Sequence, residues 1–140
     1  MAKTAVVYWS GTGNTEEMAN LLADALKNQG ADVDVFTAAD FGADQADAYD
    51  ALALGCSAWG SEELEGTEFL PMYEEVEPKL SGKKVALFGS FGDGDGIYQE
   101  DWQQRAEDAG IHVVGRVAAL DAPDDEAAEA LADLAAKLLA

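Results

Sequence analysis

The sequence has little of several residue types on which other classes of protein depend. Of its 140 residues only one is cysteine, Cys56, and only one is histidine, His112. Within this chain, that excludes an intrachain disulfide, an iron–sulfur site held by several cysteines and a histidine-rich metal site. No apolar run reaches the roughly 18 residues that a membrane-spanning helix requires. Because the chain runs almost at once into a strand-like segment, we expect no signal peptide and a cytoplasmic, reducing location.

Basic residues are also scarce. Lys and Arg number 8 against 28 Asp and Glu, which gives a formal net charge of −20. Such a charge opposes binding to nucleic-acid phosphates and to anionic membrane surfaces, so we expect neither. It favours a basic protein partner that electrostatic attraction brings in, although the same charge can also serve solubility alone.

Strand-like and helix-like segments alternate along the whole chain, without a linker, a repeat or a low-complexity tract. The predicted strands cover residues 4–9, 33–36, 51–56, 84–89 and 111–120. The predicted helices cover residues 16–27, 69–80, 100–109 and 124–140, and residues 40–48 are weakly patterned. Apolar strands separated by helices indicate a parallel sheet covered on both faces. We therefore predict one α/β domain, residues 1–140, with a doubly wound five-stranded parallel sheet.

The segment after the first predicted strand has the composition of an anion site. It leads directly into a helix and reads Ser10, Gly11, Thr12, Gly13, Asn14, Thr15. Unpaired N–H groups at a helix N-terminus attract anions, and glycines let the backbone approach them closely. The loop has no Lys or Arg, so neutral donors would hold the anion. Glu16 replaces the third glycine of the dinucleotide fingerprint, and no Gly-Lys-Ser/Thr is present. An ordinary turn with a helix cap is the alternative.

Three segments resemble the short-chain flavodoxin family. They are YWSGTGNTE at residues 8–16, GCSAWGSEELE at 55–65, and KKVALFGS at 83–90, which leads into a third loop. The similarity runs in register across nearly the whole chain, and the fifth strand has no long insertion. The resemblance implies an electron carrier with non-covalently bound FMN and the strand order 2-1-3-4-5. FMN would lie at the switch point between the first and third strands, a placement that flavodoxins themselves exemplify.

The resemblance also assigns residues to the FMN phosphate. The side chains of Ser10, Thr12, Asn14, Thr15 and Ser57 would bind it, together with backbone N–H groups from Gly11 through Gly13 to Thr15. The remaining residues expected to line the cofactor site are Ala58, Ser90, Phe91, Gly92, Asp93, Gly94 and Asp95.

For the flavin ring, the resemblance implies contacts from the second and third loops. Trp59 would stack on one face and Tyr98 on the other, because Asp93 stands where clostridial-type members have tryptophan. Phe91 and Trp102 are alternatives for that second face, although core packing suits them better. Glu62 would accept the flavin N3–H. The Gly60-Ser61 peptide would turn over so that its carbonyl accepts the N5–H of the one-electron-reduced flavin.

The implied function is a low-potential one-electron carrier that shuttles between flavin semiquinone and hydroquinone. A carboxylate about 10 Å away opposes the anionic hydroquinone by roughly 1–2 kcal/mol at an effective dielectric constant of ~20. The acids expected to act in this way are Glu62, Glu63, Glu65, Asp93 and Asp95. They would form an acidic rim around the flavin edge, with Leu64, Tyr98 and Trp102 as its apolar centre. Basic reductases and low-potential oxidoreductases would dock there on a monomer.

Two other functions share this fold outline. A response-regulator receiver needs paired acids after the first strand and an aspartate at the end of the third, where this chain has Ser10-Gly11 and Gly55-Cys56. A flavodoxin-like NAD(P)H:quinone or flavin reductase is the second alternative, although such chains are generally longer. Cys56 ends an apolar strand with no His or Lys nearby, so we expect a buried, unreactive thiol.

Overall fold

In the computed structural model, which describes residues 3–11, 13–58, 64–92 and 96–140, the chain forms one parallel sheet. Its strands are β1 (Lys3–Trp9), β2 (Asp32–Thr37), β3 (Ala51–Cys56), β4 (Lys84–Phe91) and β5 (His112–Leu120). They are ordered β2-β1-β3-β4-β5, and all four neighbouring pairs are parallel. The predicted fold and strand order are therefore confirmed.

The helices are α1 (Asn14–Asn28), α2 (Ala43–Ala46), α3 (Phe69–Val76), α4 (Ile97–Asp108) and α5 (Asp125–Leu139). The helix predicted over residues 69–80 divides, because α3 ends at Val76 and a 3₁₀ turn containing Pro78 follows. Proline has no N–H to continue the α-helical hydrogen bonds. Helix α4 begins three residues before its predicted start, directly after Gly96, which has a φ of 75°. Asp124 caps α5 by accepting a hydrogen bond from the Ala127 N–H at 2.8 Å.

Helices cover both faces of the sheet. Successive residues of a buried strand point to opposite faces, so each buried strand contributes side chains to both cores. On one face, strand residues such as Val6 and Phe88 pack against α1 and α5. On the other face, strand residues such as Leu54 pack against α3 and α4. There the Trp102 ring meets the rings of Phe69 and Tyr73 edge-on, with centroid distances of 5.2 and 6.0 Å. Trp102 is thus a core residue. Within the described ranges, no helix is long and apolar enough to cross a membrane.

Candidate functional site

The loops that follow β1, β3 and β4 leave the same edge of the sheet. Strands β1 and β3 are neighbours, with Trp9 opposite Cys56, whereas β2 lies on the far side of β1. The direction in which the chain adds strands therefore reverses between β1 and β3. In open α/β sheets, ligands bind beyond the carboxyl ends of the strands at such a reversal.

A buried hydroxyl network joins these three loops. The Thr15 hydroxyl, at the start of α1, lies 2.7 Å from the Ser57 hydroxyl and 3.3 Å from the Ser90 hydroxyl. The Ser90 N–H donates to the same Thr15 oxygen at 3.1 Å. Thr15 has one hydroxyl proton to give, and Ser57 is its nearer acceptor. When Thr15 donates to Ser57, the Ser57 proton is directed to a further acceptor outside the network.

A cavity of about 220 Å³ adjoins the network. The residues that line it are Asn14, Ser57, Ala58, Ser90, Phe91, Gly92 and Asp121. Helix α1 begins beside it, directly after Gly13, whose φ of 95° places it in the left-handed region that glycine tolerates. The Gly13 N–H donates to the Ser10 hydroxyl at 3.0 Å, and no side-chain cap is present among the described residues at this helix start. Asn14 and Ser57 line the cavity with neutral donor groups beside the start of α1, and these groups fit a phosphate such as that of FMN.

The sequence-predicted residues divide into three groups. Those that line the cavity or join its network are Asn14, Thr15, Ser57, Ala58, Ser90, Phe91 and Gly92, whereas Ser10 and Gly13 lie before α1 and are hydrogen-bonded to each other. Those outside the described residues are Thr12, Trp59, Gly60, Ser61, Glu62, Asp93, Gly94 and Asp95, and so is Glu63. Gly11 lies under the Trp9 ring, where an added Cβ would come within 3.0 Å of the indole.

Tyr98 is not where the sequence led us to expect it. Its side chain is 2% exposed, and its hydroxyl donates to the Cys56 carbonyl at 2.8 Å. A ring buried to this degree has no accessible face on which a flavin can stack, so Tyr98 is reassigned to the core. Its burial and that of Trp102 also remove both from the expected apolar centre of the docking surface. Among the residues that the structure describes, the large apolar side chains exposed at this edge are instead Ile97, 49% exposed, and Leu120, 61% exposed.

Sequence reasoning placed Glu65 in the acidic rim, but its side chain is 2% exposed. The carboxylate accepts the N–H groups of Thr67, Glu68 and Phe69 at 2.7–2.9 Å and also the Thr67 hydroxyl. Burial acts to raise the pKa of Glu65, but these hydrogen bonds outweigh it and hold that pKa below its ordinary value. Glu65 therefore stabilises the start of α3. An acid just before an apolar helical run is the sequence signal for this role.

Cys56 connects the two ends of the loop between β3 and α3. Its sulfur accepts the Glu65 N–H at 3.4 Å, and its thiol donates to the Ser57 carbonyl at 3.3 Å. Burial raises the pKa of this thiol to about 12. The expected burial of the thiol is confirmed, and its low reactivity stays a prediction.

Asp121 lines the cavity, and sequence reasoning missed it. It is the one non-glycine residue with a positive φ, 56°, in the described part of the chain. Its N–H donates to the Phe91 carbonyl at 2.8 Å, which ties the end of β5 to the end of β4. Aspartate tolerates this left-handed conformation better than most residues, and its place directly after a strand is the only signal in the sequence.

Comparisons with known proteins show which family the chain resembles. The chain matches the family model described as Flavodoxin over residues 6–134. It is 48% identical to the flavodoxin of Megasphaera elsdenii over 120 residues, which cover 86% of this chain and 88% of that protein. It is also 48% identical to the flavodoxin of Clostridium beijerinckii over 122 residues, with 87% and 88% covered.

Solved structures give the same result. The solution structure of two-electron reduced Megasphaera elsdenii flavodoxin matches with a TM-score of 0.89 at 45% identity, covering 96% of this chain and 98% of that one. The crystal structure of oxidised Flavodoxin 1 from Bacillus cereus matches with a TM-score of 0.83 at 28% identity, covering 99% and 97%.

Replacing Glu65 should test its role at α3. We expect Glu65→Gln to lower the free energy of unfolding at pH 7 by roughly 1–3 kcal/mol, because a charged acceptor of several hydrogen bonds is lost. Since the folded-state pKa is lowered, the contribution is complete above the unfolded-state pKa and disappears as the pH falls through the folded-state pKa. The deficit should therefore shrink below about pH 4. Urea unfolding across pH measures it.

The control for that experiment is Glu74→Gln, because Glu74 is exposed and its nearest cation, Arg105, is 3.9 Å away. Glu74→Gln should unfold like the wild type. A Glu65→Gln deficit that is equal at pH 3 and pH 7 would contradict the charged-acceptor account.

The Cys56 thiol should resist alkylation in the native protein. Its pKa of about 12 leaves almost no thiolate at pH 8, and the side chain is buried. Iodoacetamide at pH 8, followed by mass spectrometry, should leave the native chain unmodified and add one group after unfolding in urea. Rapid modification of the native chain would show that the thiol is accessible.

Proposed function

The chain belongs to the flavodoxin family and is an FMN-binding electron carrier rather than an enzyme, and from this premise we propose which residues hold the cofactor and which surface receives a redox partner. The observation that carries the assignment is the meeting of an uncapped helix N-terminus with the Thr15, Ser57 and Ser90 hydroxyls at the switch point of the sheet.

The FMN phosphate is held at the N-terminus of α1. The N–H groups of its first turn, the Asn14 side chain and the Ser57 hydroxyl are its donors, with the positive end of the helix dipole behind them. Thr15 and Ser90 act behind this layer, because their hydroxyls are buried in the network that orients Ser57. FMN, when bound, supplies one-electron redox chemistry, and the protein supplies its binding and electrostatic surroundings.

The flavin contacts come from the loop after β3. We retain Trp59 as the stacking residue, Glu62 as the acceptor of N3–H and Gly60-Ser61 as the peptide that responds to reduction. Support for these roles is the family resemblance of residues 55–65 and the anchoring of both ends of that loop. One end is held through the Cys56 sulfur, and the other through the Glu65 carboxylate.

The charge of the chain favours a strongly reducing carrier. Each electron that is not accompanied by a proton adds negative charge to a protein whose formal net charge is −20. A carboxylate about 10 Å from that charge costs roughly 1–2 kcal/mol at an effective dielectric constant of ~20, before salt screens it. Asp121 lies in the wall of the cavity itself. We therefore propose that the protein transfers electrons through the second reduction step of its cofactor, which has the lower potential.

The proposed docking surface has Ile97 and Leu120 at its centre. Leu120 is paired with Phe91 across the β4–β5 ladder, and Gly96, next to Ile97, lies against the Phe91 ring. Exposed acids lie near these positions in the chain, namely Glu100, Asp101, Asp121, Asp125 and Glu126. An apolar centre with acidic neighbours suits a transient contact with a basic redox protein. We propose that the carrier acts as a cytoplasmic monomer.

Ser57→Ala tests the phosphate site. We expect the dissociation constant for FMN to rise about 10- to 100-fold, because a hydrogen bond to a charged group contributes about 1.5–3 kcal/mol. Titration of the apoprotein with FMN, followed by flavin fluorescence, measures it. Ser81→Ala is the control, since Ser81 is exposed in the turn before β4 and should bind FMN as the wild type does. Wild-type affinity in Ser57→Ala would contradict the assignment of Ser57, and a wild type that binds no FMN would contradict the function.

Leu120→Ser tests the docking surface. NADPH alone should leave bound FMN oxidised, and adding a basic NADPH-dependent reductase should reduce it at a rate that falls as salt is added. Leu120→Ser should slow this reduction several-fold. The control is Val35→Ser, because Val35 is 39% exposed but lies on β2, at the opposite edge of the sheet. Direct bleaching by NADPH would favour the reductase alternative, and equal rates for the two variants would refute the docking surface.

A further inference from the structure

Strands β3 and β4 separate just before the cofactor site. Their last paired residues are Gly55 and Phe88. Beyond that point the Ser90 N–H donates to Thr15 instead of to β3, and the Ser90 carbonyl accepts the Ala58 N–H at 2.9 Å. The Cys56 carbonyl lies in the gap between the strands, where it needs a donor because buried carbonyls are rarely left unpaired.

The Tyr98 hydroxyl is that donor. It reaches the Cys56 carbonyl at 2.8 Å and lies 3.4 Å from the Ser90 carbonyl. It therefore stands where β3 and β4 part, one residue before Ser57. A tyrosine from α4 thus takes the position that a neighbouring strand would otherwise occupy.

Gly89 makes this contact possible. A Cβ built on Gly89 would overlap both the Cys56 carbonyl oxygen and the Tyr98 hydroxyl. Any larger residue at position 89 would push the hydroxyl away from β3. The absence of a side chain at Gly89 therefore leaves the space that the Tyr98 hydroxyl occupies.

The Tyr98 side chain is itself firmly held. Its ring is 2% exposed, and the neighbouring Gln99 side chain, which is fully buried, donates to the Val117 carbonyl at 3.0 Å. The same Gln99 amide lies 3.4 Å from the Tyr98 hydroxyl. The first turn of α4 is thus connected to β5 on one side and to β3 on the other.

We propose that Tyr98 is a positioning residue for FMN. The Tyr98 hydroxyl fixes the Cys56 carbonyl and thereby holds Ser57 and Ala58 against the phosphate cavity. This inference rests on the proposed phosphate site. Without the hydroxyl, the Cys56 carbonyl in the apoprotein turns toward another donor and residues 57–58 move with it. FMN must then restore their arrangement on binding, so its affinity falls.

The test is Tyr98→Phe, which keeps the ring and removes only the hydroxyl. We expect the FMN dissociation constant of the apoprotein to rise about tenfold, the usual scale for losing one buried hydrogen bond. Riboflavin has no phosphate, so its affinity should change little, and the preference for FMN over riboflavin should fall by a similar factor. Flavin fluorescence measures both affinities, and urea unfolding measures the stability of each apoprotein.

The matched control is Tyr73→Phe. Tyr73 is buried on the same face of the sheet, and within the described residues no hydrogen bond joins its hydroxyl to the cofactor loops. This variant should bind both flavins as the wild type does.

Several results would overturn the proposal. If Tyr98→Phe loses stability but keeps wild-type affinity for FMN, the hydroxyl is only structural. If FMN and riboflavin weaken equally, the hydroxyl does not act on the phosphate segment. If the Tyr98→Phe apoprotein fails to fold, the Tyr98 hydroxyl supports the whole fold and not only the cofactor loops. A wild type that binds no FMN at all would instead refute the phosphate site on which the inference depends.

Discussion

The site depends on one buried hydroxyl, that of Thr15. Once β3 and β4 part, the Ser90 N–H has no strand partner, and a buried donor left unpaired costs about 1–3 kcal/mol. Thr15 accepts that N–H and has a proton left for Ser57. A single side chain at the start of α1 therefore satisfies the backbone of β4 and orients a hydroxyl on the loop after β3. The three loops keep a common geometry because they share this oxygen.

An anion site in a chain of net charge −20 requires that short-range donors outweigh long-range repulsion. Hydrogen bonds to a charged acceptor contribute about 1.5–3 kcal/mol each. Repulsion from a carboxylate 10 Å away is about 1–2 kcal/mol before screening, and at physiological ionic strength it is screened over about 8 Å. In the proposed site, several N–H and hydroxyl donors at α1 are therefore sufficient to bind phosphate without a Lys or Arg in the loop. The acidic surface then stays available for the two roles proposed for it, contact with a partner and lowering of the potential.

The sequence predicted the parts of the molecule that depend on local pattern. Residues 51–56 are apolar throughout and form β3 with the predicted bounds, and the loop from Ser10 to Thr15 leads into α1 as its composition indicated. The roles of Tyr98 and Glu65 depend on which way a side chain points once its element has packed. Starting α4 at residue 100 leaves Tyr98 in a loop, whereas the observed start at Ile97 places it one turn before Trp102 on the buried face. An acid before an apolar helical run indicates a role at the start of α3, but it does not show that the Glu65 carboxylate is buried and accepts three N–H groups.

The start of α4 thus decides two properties of the site together. Gly96, with its left-handed backbone, fixes where the helix begins. Because successive helical residues are rotated by about 100°, Ile97 then faces solvent while Tyr98 faces the core. Beginning the helix one residue earlier or later would rotate both, exposing the hydroxyl that pairs with Cys56 or burying the apolar side chain at the docking surface. The conformation of Gly96 therefore affects both the proposed support of the cofactor loops by Tyr98 and the proposed docking surface at Ile97.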